Sequence, residues 1–168
     1  MKKRLLILLL LSLAYLASGC AREAEPKPEL PNPVHESTPE EILETLGITF
    51  NIPSDAVDVT YHIIDMEDGS PLAEALFRRG DLELTYRIRP SAQFGDISGM
   101  YYDWMTVTPV EVSYCSGEVR YIEGEQGVCL WYDTVPGLMY SVAVETGASG
   151  EMLLELANEL YVPANDVP

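Results

Sequence analysis

The chain has 168 residues and carries 27 Asp and Glu against 10 Lys and Arg, a formal charge of −17 with His neutral. Phosphate-backbone binding rests on clustered Lys and Arg, so this composition excludes nucleic acid as a partner, and it excludes a polybasic hold on anionic lipid for the same reason. The length suits a single domain rather than several.

Lys2, Lys3 and Arg4 precede thirteen residues, Leu5 to Ala17, in which Ser12 is the only clearly polar side chain. A membrane-spanning helix needs about 20 apolar residues, whereas this length and its positive flank fit the hydrophobic region of a signal peptide. Ala17, Ser18 and Gly19 are small enough for an extended chain to enter a peptidase cleft, and Cys20 follows them. The segment resembles a bacterial lipobox, with Ala17 standing where Leu is commoner. The expectation is a signal peptide over 1–19 and a diacylglycerol on Cys20, the only cofactor-like group expected. That places the protein on the cell membrane, lipid-anchored at its extracytoplasmic face. Each buried methylene contributes about 0.8 kcal/mol, so several acyl chains anchor firmly. Cleavage before Cys20 would leave seven basic residues against 27 acids, a net charge of −20.

Residues 20–37 hold four prolines and no apolar periodicity, which predicts a semi-rigid tether. At about 3.1 Å per residue, the seventeen residues after Cys20 reach roughly 50 Å. His35, within it, is assigned no role. The single ordered domain is expected over 38–168. Thr38 and Glu41 have capping-box spacing, Pro39 suits the first helical position, and Gly47 can take the left-handed stop. These predict a short helix with Ile42, Leu43 and Leu46 on its inner face.

Alternation then replaces helical spacing. Strands are predicted over 48–52 and 57–63, where apolar residues recur every second position. His62 falls on the polar side of the second and reads as a surface histidine. Residues 71–79 are rich in helix formers and stand open between helix and strand; residues 82–88 alternate clearly, and Gly80–Asp81 can close a hairpin onto 72–78. Arg78, Arg79, Arg87 and Arg89 would then gather. They form a candidate carboxylate or phosphate contact, with pairing to surface acids the commoner outcome. Further strands are predicted over 100–108, 110–115, 118–123, 127–133 and 138–145. Pro136–Gly137 supplies the last turn. A helix over 150–161 follows, with Leu153, Leu156, Ala157 and Leu160 as its apolar stripe. The fold class is therefore α+β: an antiparallel multi-stranded sheet domain with a short N-terminal helix and a C-terminal helix packed on it.

Chemistry is harder to find. Cys115 and Cys129 remain after lipidation, and export favours a disulfide. In a simple meander, however, one strand would separate them, setting their Cα atoms about 9.6 Å apart where bridging needs about 7 Å. A disulfide and two free thiols both stand open. Asp65, Glu67 and Asp68 precede Gly69, but a calcium loop would then need oxygen ligands at Ile64 and Met66 and a Glu at Ala75. An acidic turn is the better reading, and no metal site is expected. No motif nominates a nucleophile or general base, so the chain is read as non-enzymatic. Tyr101, Tyr102 and Trp104 form one aromatic cluster and Trp131 with Tyr132 another. The first cluster, with Arg87 and Arg89, is the candidate contact surface for a ligand or partner, with core packing the commoner outcome for such aromatics.

The segments "GITFNIP", "LTYRIRP", "DISGMYYDW" and "LWYDTVPGLMYSV" resemble small clostridial lipoproteins carrying a domain of unknown function, a domain also similar to extracytoplasmic parts of anti-sigma-factor-like proteins. The resemblance spans roughly Gly47 to Val162 and rests on strand and turn signatures. It implies a strand over 72–78 and a Gram-positive envelope origin, and it carries over no catalytic residue. The expected function is a membrane-anchored, non-enzymatic ligand- or partner-binding domain of sensor type. A structural envelope protein acting by protein contacts is the alternative, and an enzyme with a dispersed site ranks third.

Overall fold

Alternating apolar residues can bury one side only by joining a ladder that turns them toward a common core. The computed structural model describes residues 33–163; the expected signal segment, Cys20 and most of the tether lie outside them. Eight strands form: β1 (Val34–Ser37), β2 (Val57–Ile64), β3 (Leu72–Arg79), β4 (Leu82–Pro90), β5 (Thr106–Val112), β6 (Cys115–Tyr121), β7 (Gly127–Asp133) and β8 (Leu138–Val144). Helix α1 (Pro39–Leu46) follows β1, and α2 (Gly150–Leu160) follows β8. The strands pair in the order β1-β2-β3-β4-β8-β7-β6-β5, each pair antiparallel. Two four-stranded meanders thus meet at a β4–β8 seam, giving a mostly β chain with two helices.

The sheet's helix face carries the larger core. Phe77, Leu84, Tyr86, Trp131 and Val142 point into it, joined by Ile42 from α1 and Leu153, Ala157 and Leu160 from α2. Trp131 is fully buried, stacked on Tyr140 at 5.1 Å and 4°, and on Tyr86 at 6.1 Å and 19°. Gly127 lets α2 approach β7 closely: a Cβ there would stand 2.7 Å from Ala148 Cβ and 2.8 Å from Leu153 Cδ1. Helix α1 starts and ends on the expected chemistry: Thr38 and Glu41 form the reciprocal capping box and Gly47 closes it at φ 67°. Ser149, not singled out in the sequence, caps α2. Leu43 of α1 is exposed rather than inward, leaving Ile42 as the buried anchor.

The opposite face is covered by the connection 91–105. It leaves β4 and must reach β5 at the far edge, so it crosses β8, β7 and β6. Ile97 and Met100 are buried against Val128, Leu130, Met139 and Ala143, with Trp104 packed alongside.

Several sequence expectations are corrected. Residues 48–52 join no ladder; their alternation instead buries Ile48 and packs Phe50 and Ile52 on the core, while Asn51 Nδ2 donates to Glu159 O at 2.9 Å. The tether ends earlier than Ser37, because Val34–Ser37 pairs with β2 through backbone bonds that leave no apolar pattern to read. His35 within that strand contacts Asp65 Oδ2 at 3.0 Å. The strand expected from residue 100 begins at Thr106, since the crossing segment cannot share a ladder with strands it passes over. Pro109 lies on the edge strand β5, where a missing donor disrupts no interior ladder.

Candidate functional site

Register decides which side chains meet on the crossing-segment face. His62, Glu74, Arg87 and Ser141 stand side by side on β2, β3, β4 and β8. Arg87 Nε donates to Glu74 Oε2 at 2.7 Å, and its Nη1 donates to the carbonyls of Ile97, at 3.2 Å, and Ser98. Glu74 is only 6% exposed, so this ion pair both neutralises a buried carboxylate and holds the crossing segment. His62 Nδ1 lies 3.4 Å from Glu74 Oε1 without hydrogen-bond alignment. Gly99 has φ 70°, and a Cβ there would collide with Arg87 Nη1. Asp96 completes the hold: it accepts from Ser98 N at 2.9 Å and Ser98 Oγ at 2.7 Å, and Arg120 Nη1 donates to it at 2.6 Å.

Beside this lattice opens a cleft of about 480 Å³. Its floor is Leu76, Thr85 and Ala143, aligned across β3, β4 and β8. Arg87 and the Ser98–Met100 segment form one wall, while Arg78, Glu83 and Glu145 stand on the other. The cleft therefore offers guanidinium, hydroxyl and carboxylate groups above a small apolar floor. That arrangement suits orienting a polar small molecule and presents no paired nucleophile and base.

The residues singled out from sequence separate. Arg87 lines the cleft, but Arg89 lies outside its lining, donating to Asp68 Oδ2 at 2.6 Å; this bond, with one from Ser70 N, draws the Asp68 carboxyl below its ordinary value. Arg78 pairs with Asp58, and Arg79 bridges Asp55 and Glu159. The four arginines thus form no free cationic patch. Tyr102 lies outside the lining but donates from its Oη to the lining residue Glu145, to Oε2 at 3.2 Å, and that carboxylate raises the phenol's pKa. Trp104 packs edge-on to Tyr102 at 5.4 Å and is partly buried. Tyr101 is 92% exposed and does not line the cleft. Trp131 is core, and Tyr132 Oη donates to Ser91 O at 3.1 Å. Thr85, Ser98, Gly99 and Glu145 were missed. Each reads in sequence as an ordinary strand or turn residue, and only cross-strand register assembles them.

Cys115 and Cys129 are both free and buried. Their strands are direct neighbours, not separated by a third as expected. The obstacle lies along the strands: Val119 is the partner of Cys129, so Cys115 is offset by four residues, about 13 Å. Burial pushes the Cys129 thiol up to about 12 and raises that of Cys115. Cys115 belongs to a second group at the end of β6 and β7. Its Sγ donates to Tyr161 Oη at 3.3 Å, Tyr161 Oη donates to Asp133 Oδ2 at 2.5 Å, and Tyr114 Oη lies 3.1 Å from Tyr161 Oη. Burial, then the bond to Asp133, drives the Tyr161 phenol far above its ordinary value. A cavity of about 220 Å³ opens against this group.

Among the described residues no three His, Cys, Asp or Glu side chains converge as a metal site requires. No described helix is long and apolar enough to cross a membrane. No protein-family model, no curated protein and no solved structure matches this chain.

Proposed function

We propose that this chain is a lipid-anchored envelope protein whose α+β domain binds a small polar ligand in the Thr85 cleft, in the manner of a sensor and without catalysis. The carrying observation is the cleft itself. Its volume, about 480 Å³, falls in the range of small-molecule sites, roughly 300–1,000 Å³, and a few convergent polar groups stand over an apolar floor. The wall Ser98–Met100 is held by Arg87 through backbone carbonyls, so a ligand contacting Arg87 also acts on the crossing segment. That couples occupancy to the outward-facing surface around Tyr101. The N-terminal residues through Cys20 support the anchor, and the likeness to clostridial envelope lipoproteins fits the same location.

Native mass spectrometry of protein recovered from membranes is expected to show a bound small molecule that the cleft-filling variant Thr85→Trp lacks. Identical spectra for the two proteins would overturn the reading. Cys20→Ser is expected to move the protein from the membrane fraction to the soluble one.

A specific observation favours a second reading, docking to an envelope protein. Tyr101, Met105 and Val107 are 92%, 80% and 54% exposed along the crossing segment and edge strand. Crosslinking to one discrete partner, lost in Tyr101→Ala/Met105→Ala, is the outcome that would favour it over the cleft.

A further inference from the structure

Asp133 is a buried anion that no described cation neutralises. It is 1% exposed. Its Oδ1 accepts from Val135 N at 2.9 Å, and its Oδ2 accepts from Tyr161 Oη at 2.5 Å. Those bonds satisfy two of about four lone-pair positions, but they leave the charge itself uncompensated. Every described arginine is committed to other carboxylates, Arg78 to Asp58, Arg79 to Asp55 and Glu159, Arg87 to Glu74, Arg89 to Asp68 and Arg120 to Asp96 and Glu118. Of the histidines, His35 contacts Asp65 and His62 lies beside Glu74. Buried charges are ordinarily paired, because an isolated one in a poorly polarisable interior is costly.

The 220 Å³ cavity has Asp133 and Cys115 in its lining together with three aromatic residues, Phe94, Tyr114 and Tyr132. Asp133 and Cys115 are the sealed part, while Phe94 and Tyr114 are 38% and 54% exposed and form the approach. We infer that this cavity binds a methylated ammonium group, with the Asp133 carboxylate beneath it as counter-charge and the Phe94, Tyr114 and Tyr132 rings around it.

The class of cation follows from what the cavity withholds. A calcium ion needs six or more oxygen ligands at close range, and a primary ammonium needs three acceptors directed at its protons. Asp133 is almost sealed, the Tyr114 hydroxyl is engaged with Tyr161, and the two remaining hydroxyls of the lining, Ser116 and Thr134, are too few for either set. A quaternary ammonium donates no hydrogen bond. It is held by aromatic faces and a nearby negative charge, the recognition used wherever aromatic cages take up methylated amines. The Cys115 thiol keeps its proton, because burial raises its pKa, and it serves as neutral lining. This site is distinct from the Thr85 cleft and does not depend on it.

Titration calorimetry of the mature chain with tetramethylammonium chloride and choline chloride tests the inference, against sodium, ammonium and calcium chlorides at matched ionic strength. Saturable binding at one site is expected for the two methylated cations only. Phe94→Ala is expected to weaken it about tenfold. Asp133→Asn, which keeps the side-chain shape, is expected to abolish it while the melting transition remains cooperative. Tyr102→Phe, at the other cleft, should leave it unchanged. Equal heats from sodium, reflecting only general attraction to an acidic chain, would overturn the assignment. So would wild-type affinity in Asp133→Asn or, should that variant fail to fold, wild-type affinity in Phe94→Ala.

Discussion

One face of the sheet stacks Trp131 between Tyr86 and Tyr140 beneath α2, whereas the other ties Arg87 to Glu74 and to two carbonyls of the 91–105 crossing. On the first face, burial is non-directional and roughly proportional to apolar area, so neighbouring side chains can shift and still contribute. On the second, directed bonds from Arg87 fix the position of a segment that also packs Ile97, Met100 and Trp104 against the sheet. The helix face should therefore account for global stability, and the crossing face for the shape of the Thr85 cleft.

The sharpest break is expected from Trp131→Ala, which should lower unfolding free energy by about 3–5 kcal/mol in chemical denaturation. Trp131→Phe should cost less, because the indole Nε1 has no partner to lose.

Next in size is the alkaline limit. The folded Cys129 thiol titrates at about 12 against an ordinary 9.0, so the folded state excludes the thiolate. The linked stability is complete below pH 9 and is lost as pH rises toward 12, about 4 kcal/mol for three units. Tyr86, Tyr140 and Tyr161, all raised first by burial, act in the same direction from their ordinary value of 10.0 upward. Cys129→Ala is therefore expected to flatten the fall in stability between pH 9 and 10 and to lessen it above, as measured by urea unfolding at each pH. An unchanged slope would place the alkaline sensitivity elsewhere.

Arg87→Met tests the crossing face. It strands Glu74 in a buried position, at a cost of about 3 kcal/mol, and frees the Ser98–Met100 wall for proteolysis. Adding Glu74→Leu should restore most of the stability, since no charge is then left buried, but not the protease resistance of the wall. Recovery of both would mean that the Arg87 bonds to Ile97 and Ser98 do not hold the segment. Gly99→Ala is smaller, about 1–2 kcal/mol from forcing a side chain into the left-handed region. Its effect should be confined to proteolysis within 91–105.

The smallest effects belong to the exposed pairs. Arg78→Ala should leave the melting temperature unresolved from wild type, as solvent-screened pairs usually do. Arg79 and Arg89 depress the carboxyls of Asp55 and Asp68. Whatever those pairs contribute is present above the ordinary value of 3.8 and lost as pH falls below it.

Much of the local structure could be read from residue order because it depends on residue order alone. Alternation from Leu82 to Ile88 marks β4 whatever its neighbours, and Gly80 and Gly137 supply the positive φ their turns require. Thr38 with Glu41 starts α1 by bonds spanning three residues. The 48–52 segment shows the limit of that logic, since alternation reports one-sided burial and not a ladder partner. Strand β1 shows the converse, because a ladder of backbone bonds needs no side-chain pattern. Arginine pairing was foreseeable from 27 acids against few bases, but the partner of each arginine was not.

What residue order alone determined here is therefore the strands β2, β4, β7 and β8 and the two helices, the first with its start signal. Tertiary structure alone decided that β4 meets β8, that 91–105 crosses three strands, and that Thr85, Arg87 and Ser98 border one cleft while Asp133, Tyr114 and Cys115 border another. The reason is one of range. Periodicity, caps and turns are set by forces acting within a few residues, whereas the seam, the crossing and both cavities depend on register between segments brought together only when the two meanders pack.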